Sequence, residues 1–227
     1  LAVLIRSVLY EPFNIPSGSM KSNLLVGDYL FVSKYAYGYS RYSFPFGLPI
    51  FEGRKLQISE PKRGDVVVFR EPSNPRIDFI KRIIGLPGDT VQVRDGIVYI
   101  NGSPLPRKPL DEWADEGDES GRPVMIPRLT ETLPEGKEIE ILKQVRYGAG
   151  DDTPIFKVPE KHYFMMGDNR DGSQDSRVMN EVGFVPYINL VGRAERIFFS
   201  LEEGTAAWEI WKWPSSIRYD RLIEEII

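Results

Sequence analysis

Residues 79–100 read FIKRIIGLPGDTVQVRDGIVYI, in which three apolar runs are separated by turn residues. The runs are rich in Ile, Val and aromatic side chains, which favour strands. The pair Asp95-Gly96 separates the runs 91–93 and 97–100, and such a pair is a strong signal for a two-residue β-hairpin. This stretch therefore predicts consecutive antiparallel strands.

The same strand signals recur along the rest of the chain, while helix signals are few. Short β-rich runs bounded by Gly, Pro or Asp stand at 28–32, 65–69, 79–84, 139–145, 163–166 and 191–199. Weak helix patterns occur in the first ten residues, at 110–116 and at 218–227. We predict a mainly β fold, in which an antiparallel sheet or barrel-like main domain carries an inserted smaller β-rich subdomain.

Composition excludes several classes of function. The 227 residues include 29 Lys and Arg against 33 Asp and Glu, a net charge of −4, which gives no general attraction to nucleic acid. There is no cysteine, so thiol nucleophiles and Cys-type zinc sites are excluded. The one histidine, His162, excludes a His-rich metal site, and any Ser-His-Asp triad would need it. We expect neither a metal nor another cofactor.

Composition also suggests how the chain is divided. Residues 101–157 are rich in Pro, Glu and Asp and include an acidic run at 111–119, which indicates an inserted subdomain. The main domain would then comprise 13–100 and 158–227. Residues 1–12 begin with an apolar run about half as long as the roughly 20 residues of a spanning helix. We interpret them as the end of a membrane-anchor segment, the remnant of a transmembrane helix.

Two segments carry hydroxyls and charges in turn-like settings. Residues 15–20 read Ile-Pro-Ser-Gly-Ser-Met, a shaped turn that presents Ser17 and Ser19, although the hexapeptide alone favours a plain Pro-Gly turn with capping serines. Residues 167–177 resemble a calcium loop, but with Asp168 as first ligand the third position would be Arg170. This segment better fits a loop cross-tied by Asp–Arg pairs.

A serine without a histidine partner needs another base, and a lysine made neutral by burial can supply one. A buried strand lysine should have apolar neighbours two residues away on each side. Lys81 and Lys143 both meet this condition, and periodicity does not choose between them. Either could also be a lysine whose stem packs on the strand while its amine reaches water.

Together these segments resemble the bacterial type I signal peptidases (leader peptidases), membrane-bound serine proteases with a Ser–Lys dyad. The resemblance covers about Tyr10 to Asp89 and Val158 nearly to the end, whereas 101–157 matches poorly. At 21–23, Lys-Ser-Asn stands where the family often has a proline-threonine pair. The ordered motifs that carry the resemblance are 15–20 followed by 24–28, 62–69, 81–82 running into 85–89, and 163–171 continuing through 175–177.

The resemblance implies a role for each matching residue. Ser19 becomes the nucleophile and Lys81 the general base, which selects Lys81 over Lys143. The hydroxyl of Ser17 and the backbone N–H of Ser19 form the oxyanion hole, and Ser173 orients Lys81. His162 is left as a surface residue before a strand. The ion pairs that support the site are Asp175 with Arg177 and Asp168 with Arg82.

The family also implies the substrate and the location. An extended peptide with small residues before the cut, of the Ala-X-Ala type, would dock beside the nucleophile and lysine strands. The expected activity is removal of signal peptides from exported preproteins at the bacterial inner (plasma) membrane, with the catalytic domain on the outer (periplasmic) side. The expected partners are signal peptides and the lipid surface. The matching substrate-binding positions are Phe13, Ile15, Pro16, Leu24, Leu30, Asp78, Phe79 and Ile80.

Two alternatives stay open on the sequence. A self-cleaving Ser–Lys repressor domain shares fold and dyad, but it would need a DNA-binding helix-turn-helix, and only 18 residues precede Ser19. A non-enzymatic β module at a membrane surface would keep the fold without turnover. Two aromatic groups could lie in the core, but because a signal peptide is cut at the membrane surface we predict that they lie at the membrane–water interface. They are Tyr35, Tyr37, Tyr39, Tyr42, Phe44 and Phe46, and Trp208, Trp211 and Trp213.

Overall fold

The computed structural model describes residues 10–43, 53–56, 58–115, 123–144, 147–206 and 208–227. Within them, one short helix, α1, spans Trp213–Ser216, and single 3₁₀ turns lie at Gly18–Met20, Tyr35–Tyr37, Arg41–Ser43, Tyr187–Asn189 and Tyr219–Arg221. The strands are β1 (Tyr10–Asn14), β2 (Asp28–Ser33), β3 (Val66–Arg70), β4 (Asp78–Gly85), β5 (Thr90–Arg94), β6 (Ile97–Ile100), β7 (Ser103–Pro104), β8 (Arg107–Pro109), β9 (Trp113–Asp115), β10 (Val124–Ile126), β11 (Arg128–Thr132), β12 (Glu138–Leu142), β13 (Phe156–Lys157), β14 (His162–Met166), β15 (Val185–Pro186) and β16 (Leu190–Ser200).

The largest sheet has seven strands in the order β1-β2-β16-β3-β4-β14-β15, and every neighbouring pair is antiparallel. The predicted mainly β, antiparallel fold is therefore confirmed. Strands β3 and β4 lie inside this sheet, and their Val, Ile and Phe side chains are suited to strands buried on both faces. In the register of this pair, Val67 lies opposite Lys81, so the lysine sits on an interior strand.

One core cluster lies under the segment that carries the candidate serine. Met20 and Leu24 are completely buried, and they pack with Leu30, Val66, Val68, Ile80, Val191, Ala194 and Ile197. Ser19 is therefore followed by a side chain fixed in the core. This packing anchors the turn on the same body that carries β4.

Smaller sheets form the second part of the molecule: β13-β5-β6-β7, β12-β11-β8 and the hairpin β9-β10. The Asp95-Gly96 hairpin joins β5 to β6, and both turn residues have positive φ, at 47° and 74°, as a type I′ turn requires. Residues 90–100, assigned to the main domain from sequence, thus pair with β7 and β13 rather than with the seven-stranded sheet. A shared apolar cluster, which includes Ile84, Val98 and Ile141, joins the two parts.

The helix predictions were wrong where the structure describes the chain. The 110–116 segment contains strand β9, which pairs with β10. The 218–227 segment forms a single 3₁₀ turn and then an extended tail, in which Glu225 bridges to Arg196 of β16. Cross-strand pairing outweighed weak local preference in both cases. Residue 10 begins β1, whereas residues 1–9 of the expected membrane anchor lie outside the described residues.

No helix among the residues that the structure describes combines the length and apolar character needed to cross a bilayer.

Candidate active site

Ser19 lies in the 3₁₀ turn that follows β1. Ser17 ahead of it is extended, and the turn closes at Met20 in the core. Asn169, from the loop after β14, donates its backbone N–H to the carbonyl of Ser19 at 3.1 Å and its side-chain amide to that of Gly18 at 3.0 Å. The turn is therefore fixed from below by packing and from the side by two hydrogen bonds.

Lys81 approaches Ser19 from β4. Its Nζ lies 2.6 Å from Ser19 Oγ and 3.0 Å from the carbonyl oxygen of Ile80. Only 7% of Ser19 and 3% of Lys81 is exposed. The hydroxyl and the amine, 62 residues apart in the chain, are thus in direct contact and almost shielded from water.

The electrostatics around Lys81 favour a neutral amine at mildly alkaline pH. Burial lowers its pKa to about 8, even though the negative charges of Asp175 and Asp168 act in the opposite direction. Phe79 places its ring 5.2 Å from Nζ. An amine with such a pKa is half deprotonated near pH 8, so it can accept a proton there.

Ser17 and Ser173, the other two candidate hydroxyls, lie differently. Ser17 is exposed, with its Oγ 3.4 Å from Ser19 Oγ. The Ser173 hydroxyl is buried and forms no hydrogen bond with Lys81. It packs against Gly167, where an added Cβ would lie 2.2 Å from Ser173 Oγ and 2.5 Å from the Ser19 carbonyl oxygen. Gly167 therefore permits the close approach of these two segments.

The two expected ion pairs are both present. Arg82 makes a two-pronged contact with Asp168, at 2.8 and 2.6 Å, and both side chains are buried. Arg177 binds Asp175 in the same way, at 2.8 and 2.9 Å. Burial alone would raise the pKa of Asp175, but Arg177 holds it below its ordinary value. Each carboxylate near Lys81 is therefore held in place by an arginine.

Lys143, the rival lysine, is placed quite differently. It follows the end of β12, and its Nζ binds Asp171 at 2.5 Å and Asp151 at 3.0 Å. The amine of Lys143 is therefore held by two ion pairs, whereas that of Lys81 contacts the candidate serine. His162, the one histidine, is the first residue of β14 rather than a residue before it, and its Nδ1 lies 2.8 Å from the carbonyl of Glu160.

The expected substrate positions divide into a surface set and a buried set. β1 is the edge strand of the large sheet, and in β4 the residues before Arg82 pair with β3 alone, since β14 pairs only from Arg82 onward. Phe13, Pro16, Asp78 and Phe79 are partly or wholly exposed along these two edges. Ile15, Leu24, Leu30 and Ile80 lie in the core cluster beneath the serine turn.

Sequence reasoning missed several residues that hold the site together. Asn23 donates to Asp168 at 2.8 Å and to the carbonyl of Glu140 at 2.9 Å. Arg170 binds Glu131 of β11, and neither side chain had been given a role. Asn169 lies within the motif at 163–171, and that position could have suggested a role in the site. Glu131 carried no local signal, because its contact with Arg170 spans 39 residues.

Comparison with known proteins identifies the family of the chain. The family model described as signal peptidase, peptidase S26, matches residues 1–199. Signal peptidase I of Rickettsia canadensis (strain McKiel) is 39% identical over an alignment that covers 100% of this chain and 89% of the relative. Signal peptidase I of Rickettsia akari (strain Hartford) is 38% identical, with coverage of 100% and 88%.

Among solved structures, the crystal structure of a signal peptidase I from Enterococcus faecalis V583 is 32% identical. It covers 60% of this chain and 98% of its own, with a TM-score of 0.35. The family model and the Rickettsia relatives decide the assignment. The chain belongs to the signal peptidase family, peptidase S26, and is a serine endopeptidase of that family.

Proposed function

We propose that this enzyme removes signal peptides from exported preproteins with Ser19 as nucleophile and Lys81 as general base. The observation that carries the proposal is the 2.6 Å contact between Lys81 Nζ and Ser19 Oγ in a buried setting. The lowered pKa of Lys81, about 8, makes the unprotonated amine available in the range where such an enzyme works.

The geometry supports a two-step reaction. Neutral Lys81 takes the proton from Ser19 as Oγ attacks the scissile carbonyl, and the new oxyanion accepts hydrogen bonds from the Ser19 N–H and the Ser17 hydroxyl. The C–N bond breaks as protonated Lys81 gives its proton to the leaving amine. Water then attacks the acyl-enzyme and gives a proton to Lys81. The ester bond to Ser19 breaks as Lys81 passes that proton to Oγ, which restores the free serine and the neutral amine.

Within the part of the chain that the structure describes, β1 and residues 78–81 of β4 pair with a strand on one side only, which suggests how a substrate binds. An extended peptide could add along β1 on one side and along residues 78–81 of β4 on the other, through backbone hydrogen bonds. Burial raises the pKa of Asp78, and Glu11 of β1 adds to this effect, so the two edges lie within electrostatic reach of each other. Because the side chains under the serine turn are apolar and closely packed, we expect shallow subsites that admit only small residues, as Ala-X-Ala specificity requires.

The activity also fixes where the enzyme should work. A signal peptide is presented for cleavage where the preprotein emerges from the membrane. We therefore place the catalytic domain at the outer, periplasmic face of the bacterial inner membrane, in contact with lipid. The proposal includes a division of the chain into an anchor (1–12), a catalytic domain (13–100 and 158–227) and an inserted subdomain (101–157). The sheets suggest that the first part of the catalytic domain ends nearer to Gly85, where β4 ends, than to residue 100.

Cleavage in trans tests the dyad. Wild type should cut a preprotein and an Ala-X-Ala peptide, whereas Ser19→Ala and Lys81→Ala should lose activity by several orders of magnitude while keeping the fold. Lys143→Ala is the matched control, since it removes a part-buried lysine that is already bound by two carboxylates. Measurable turnover by Lys81→Ala, or loss of turnover in Lys143→Ala with an intact fold, would contradict the proposal.

A further inference from the structure

An ion pair joins the inserted subdomain to the loop that supports the site. Arg170 lies in the loop after β14, and its guanidinium binds the carboxylate of Glu131 in β11 through two contacts, Nη1–Oε1 at 3.0 Å and Nη2–Oε2. Their side chains are only 3% and 0% exposed. Arg107 of β8 binds the same carboxylate at 2.8 Å. Glu131 is thus a buried anion held between one arginine of its own subdomain and one of the site loop.

Arg170 is continuous with the residues that hold the dyad. Its neighbour Asn169 makes the two hydrogen bonds to the serine turn, and Asp168 binds Arg82, which follows Lys81 in β4. The Arg170 carbonyl accepts a hydrogen bond from Arg177 at 2.6 Å. A shift of the Arg170 side chain would therefore move backbone that contacts the serine turn and that carries Asp168, the partner of Arg82 beside Lys81.

The charges around Lys81 are also linked to Glu131. Asp168 and Asp175 face the amine, and each is paired with an arginine, Arg82 or Arg177. Burial disfavours the charge of Arg170, but Glu131 and, more weakly, Asp168 and Asp175 hold its pKa above the ordinary value. Glu131 therefore neutralises a cation that would otherwise interact more strongly with the two carboxylates facing Lys81.

Glu131 keeps its charge over the working range of the enzyme. Burial opposes ionisation of a carboxyl group, but Arg170 and Arg107 hold the pKa of Glu131 below its ordinary value. The pair is therefore a constant feature of the site rather than one that titrates with Lys81.

We propose that Glu131, supplied by the inserted subdomain, is a positioning residue that acts through Arg170 to fix the loop under the serine turn and the charge balance at Lys81. This inference rests on the proposed Ser–Lys function. It gives the inserted subdomain a part in the reaction, although none of its described residues is hydrogen-bonded to the side chain of Ser19 or Lys81.

The test is the pH dependence of kcat/KM and kcat with an Ala-X-Ala peptide. Glu131→Gln removes a negative charge, and its loss makes protonated Lys81 less favourable. The acid-side midpoint of the plot of kcat/KM against pH should therefore move to lower pH by about half a unit or more. Arg170→Gln removes a positive charge and should move the midpoint to higher pH. Each variant should also lower kcat about tenfold or more with little change in KM, because the reacting groups and not the binding edges are displaced.

The double variant Glu131→Gln/Arg170→Gln removes the pair as a unit. Its midpoint should return to near the wild-type value, since neither charge is left uncompensated at the loop. Glu131→Asp, which keeps the charge, should keep the wild-type midpoint even where kcat falls. A purely structural role predicts none of these opposite and compensating shifts.

Two neighbours of Glu131 in the subdomain provide matched controls. Glu138→Gln removes an equal charge from an exposed pair with Lys108, where solvent screens it, and should leave the midpoint unchanged. Ile139 lies directly opposite Glu131 in the register, and Ile139→Val should lower the unfolding temperature without moving the midpoint.

The outcomes separate this inference from the function on which it rests. Suppose that Lys81→Ala loses turnover, while Glu131→Gln and Arg170→Gln fold and keep the wild-type midpoint and kcat. This result would overturn the role of Glu131 and leave the dyad in place. The same conclusion would follow if neither single variant folded, since Glu131 would then be only a structural residue. Turnover by Lys81→Ala would instead overturn the dyad.

Discussion

Lys81 is a buried amine, and its burial has consequences for stability as well as for catalysis. Its pKa is lowered from 10.5 to about 8, which means that the unfolded chain holds the proton more tightly than the folded protein. Folding is therefore penalised below pH 8, by about 3 kcal/mol at about 1.36 kcal/mol per pKa unit. The penalty fades as pH rises from 8 to 10.5, where both states become neutral.

Replacement of this amine by an apolar side chain should therefore stabilise the protein while abolishing turnover. We expect Lys81→Met to raise the free energy of unfolding at pH 7 by up to about 3 kcal/mol, less the loss of its hydrogen bond to Ser19. At pH 10.5 the gain should vanish. Urea unfolding at the two pH values measures it, with Lys143→Met as the control that should destabilise. An equal effect of Lys81→Met at both pH values would show that burial does not lower the pKa of this amine.

The serine turn is the element on which acyl transfer would depend, and it offers a test of oxyanion stabilisation. Ser17 is exposed and its Oγ makes only a 3.4 Å contact with Ser19, so Ser17→Ala should leave the unfolding temperature unchanged. Loss of one oxyanion donor typically lowers kcat by about 10²–10³-fold. We expect that loss in kcat with KM nearly constant. Wild-type kcat in Ser17→Ala would remove the hydroxyl from the mechanism.

Among the strands, the sequence predicted best those whose formation depends on neighbouring residues in the chain. The Asp95-Gly96 hairpin needs only a turn with positive φ and two β-rich runs, and β5 and β6 form as predicted. Trp113–Asp115 became a strand because it pairs with Val124–Ile126, a partner that its own local pattern does not show. Likewise Lys81 and Lys143 look alike by periodicity, and only the fold reveals that Lys143 is bound by two carboxylates. Long-range partners are what a single sequence withholds.

For the whole molecule, the structure separates the two aromatic groups that were predicted to meet the membrane. Tyr37 is 0% and Tyr42 9% exposed, so these two belong to the core, and their assignment to the interface was wrong. Tyr35 and Tyr39 are half-buried, and Phe44 and Phe46 lie outside the described residues. By contrast, Trp208 and Trp211 are 78% and 70% exposed, and Ile210 between them is 63% exposed. Large apolar side chains this open to water mark a surface for contact.

We therefore expect this tryptophan segment to bind lipid. Because the indole ring favours the membrane–water interface, the protein should co-sediment with vesicles of phosphatidylethanolamine and phosphatidylglycerol, and the variant Trp208→Ser/Trp211→Ser should bind several-fold less. The matched control is Met125→Ser/Ile155→Ser, which removes two exposed apolar side chains from the inserted subdomain and should bind as wild type does. Peptide cleavage in free solution should be unchanged in the control and in the single variant Trp211→Ser. Trp208 lines a pocket with the expected substrate positions Ile15 and Pro16, so the double variant is scored on vesicle binding alone. Wild-type protein that stays in the supernatant, or equal binding by the tryptophan variant, would contradict a docking role and leave these side chains as ordinary exposed surface.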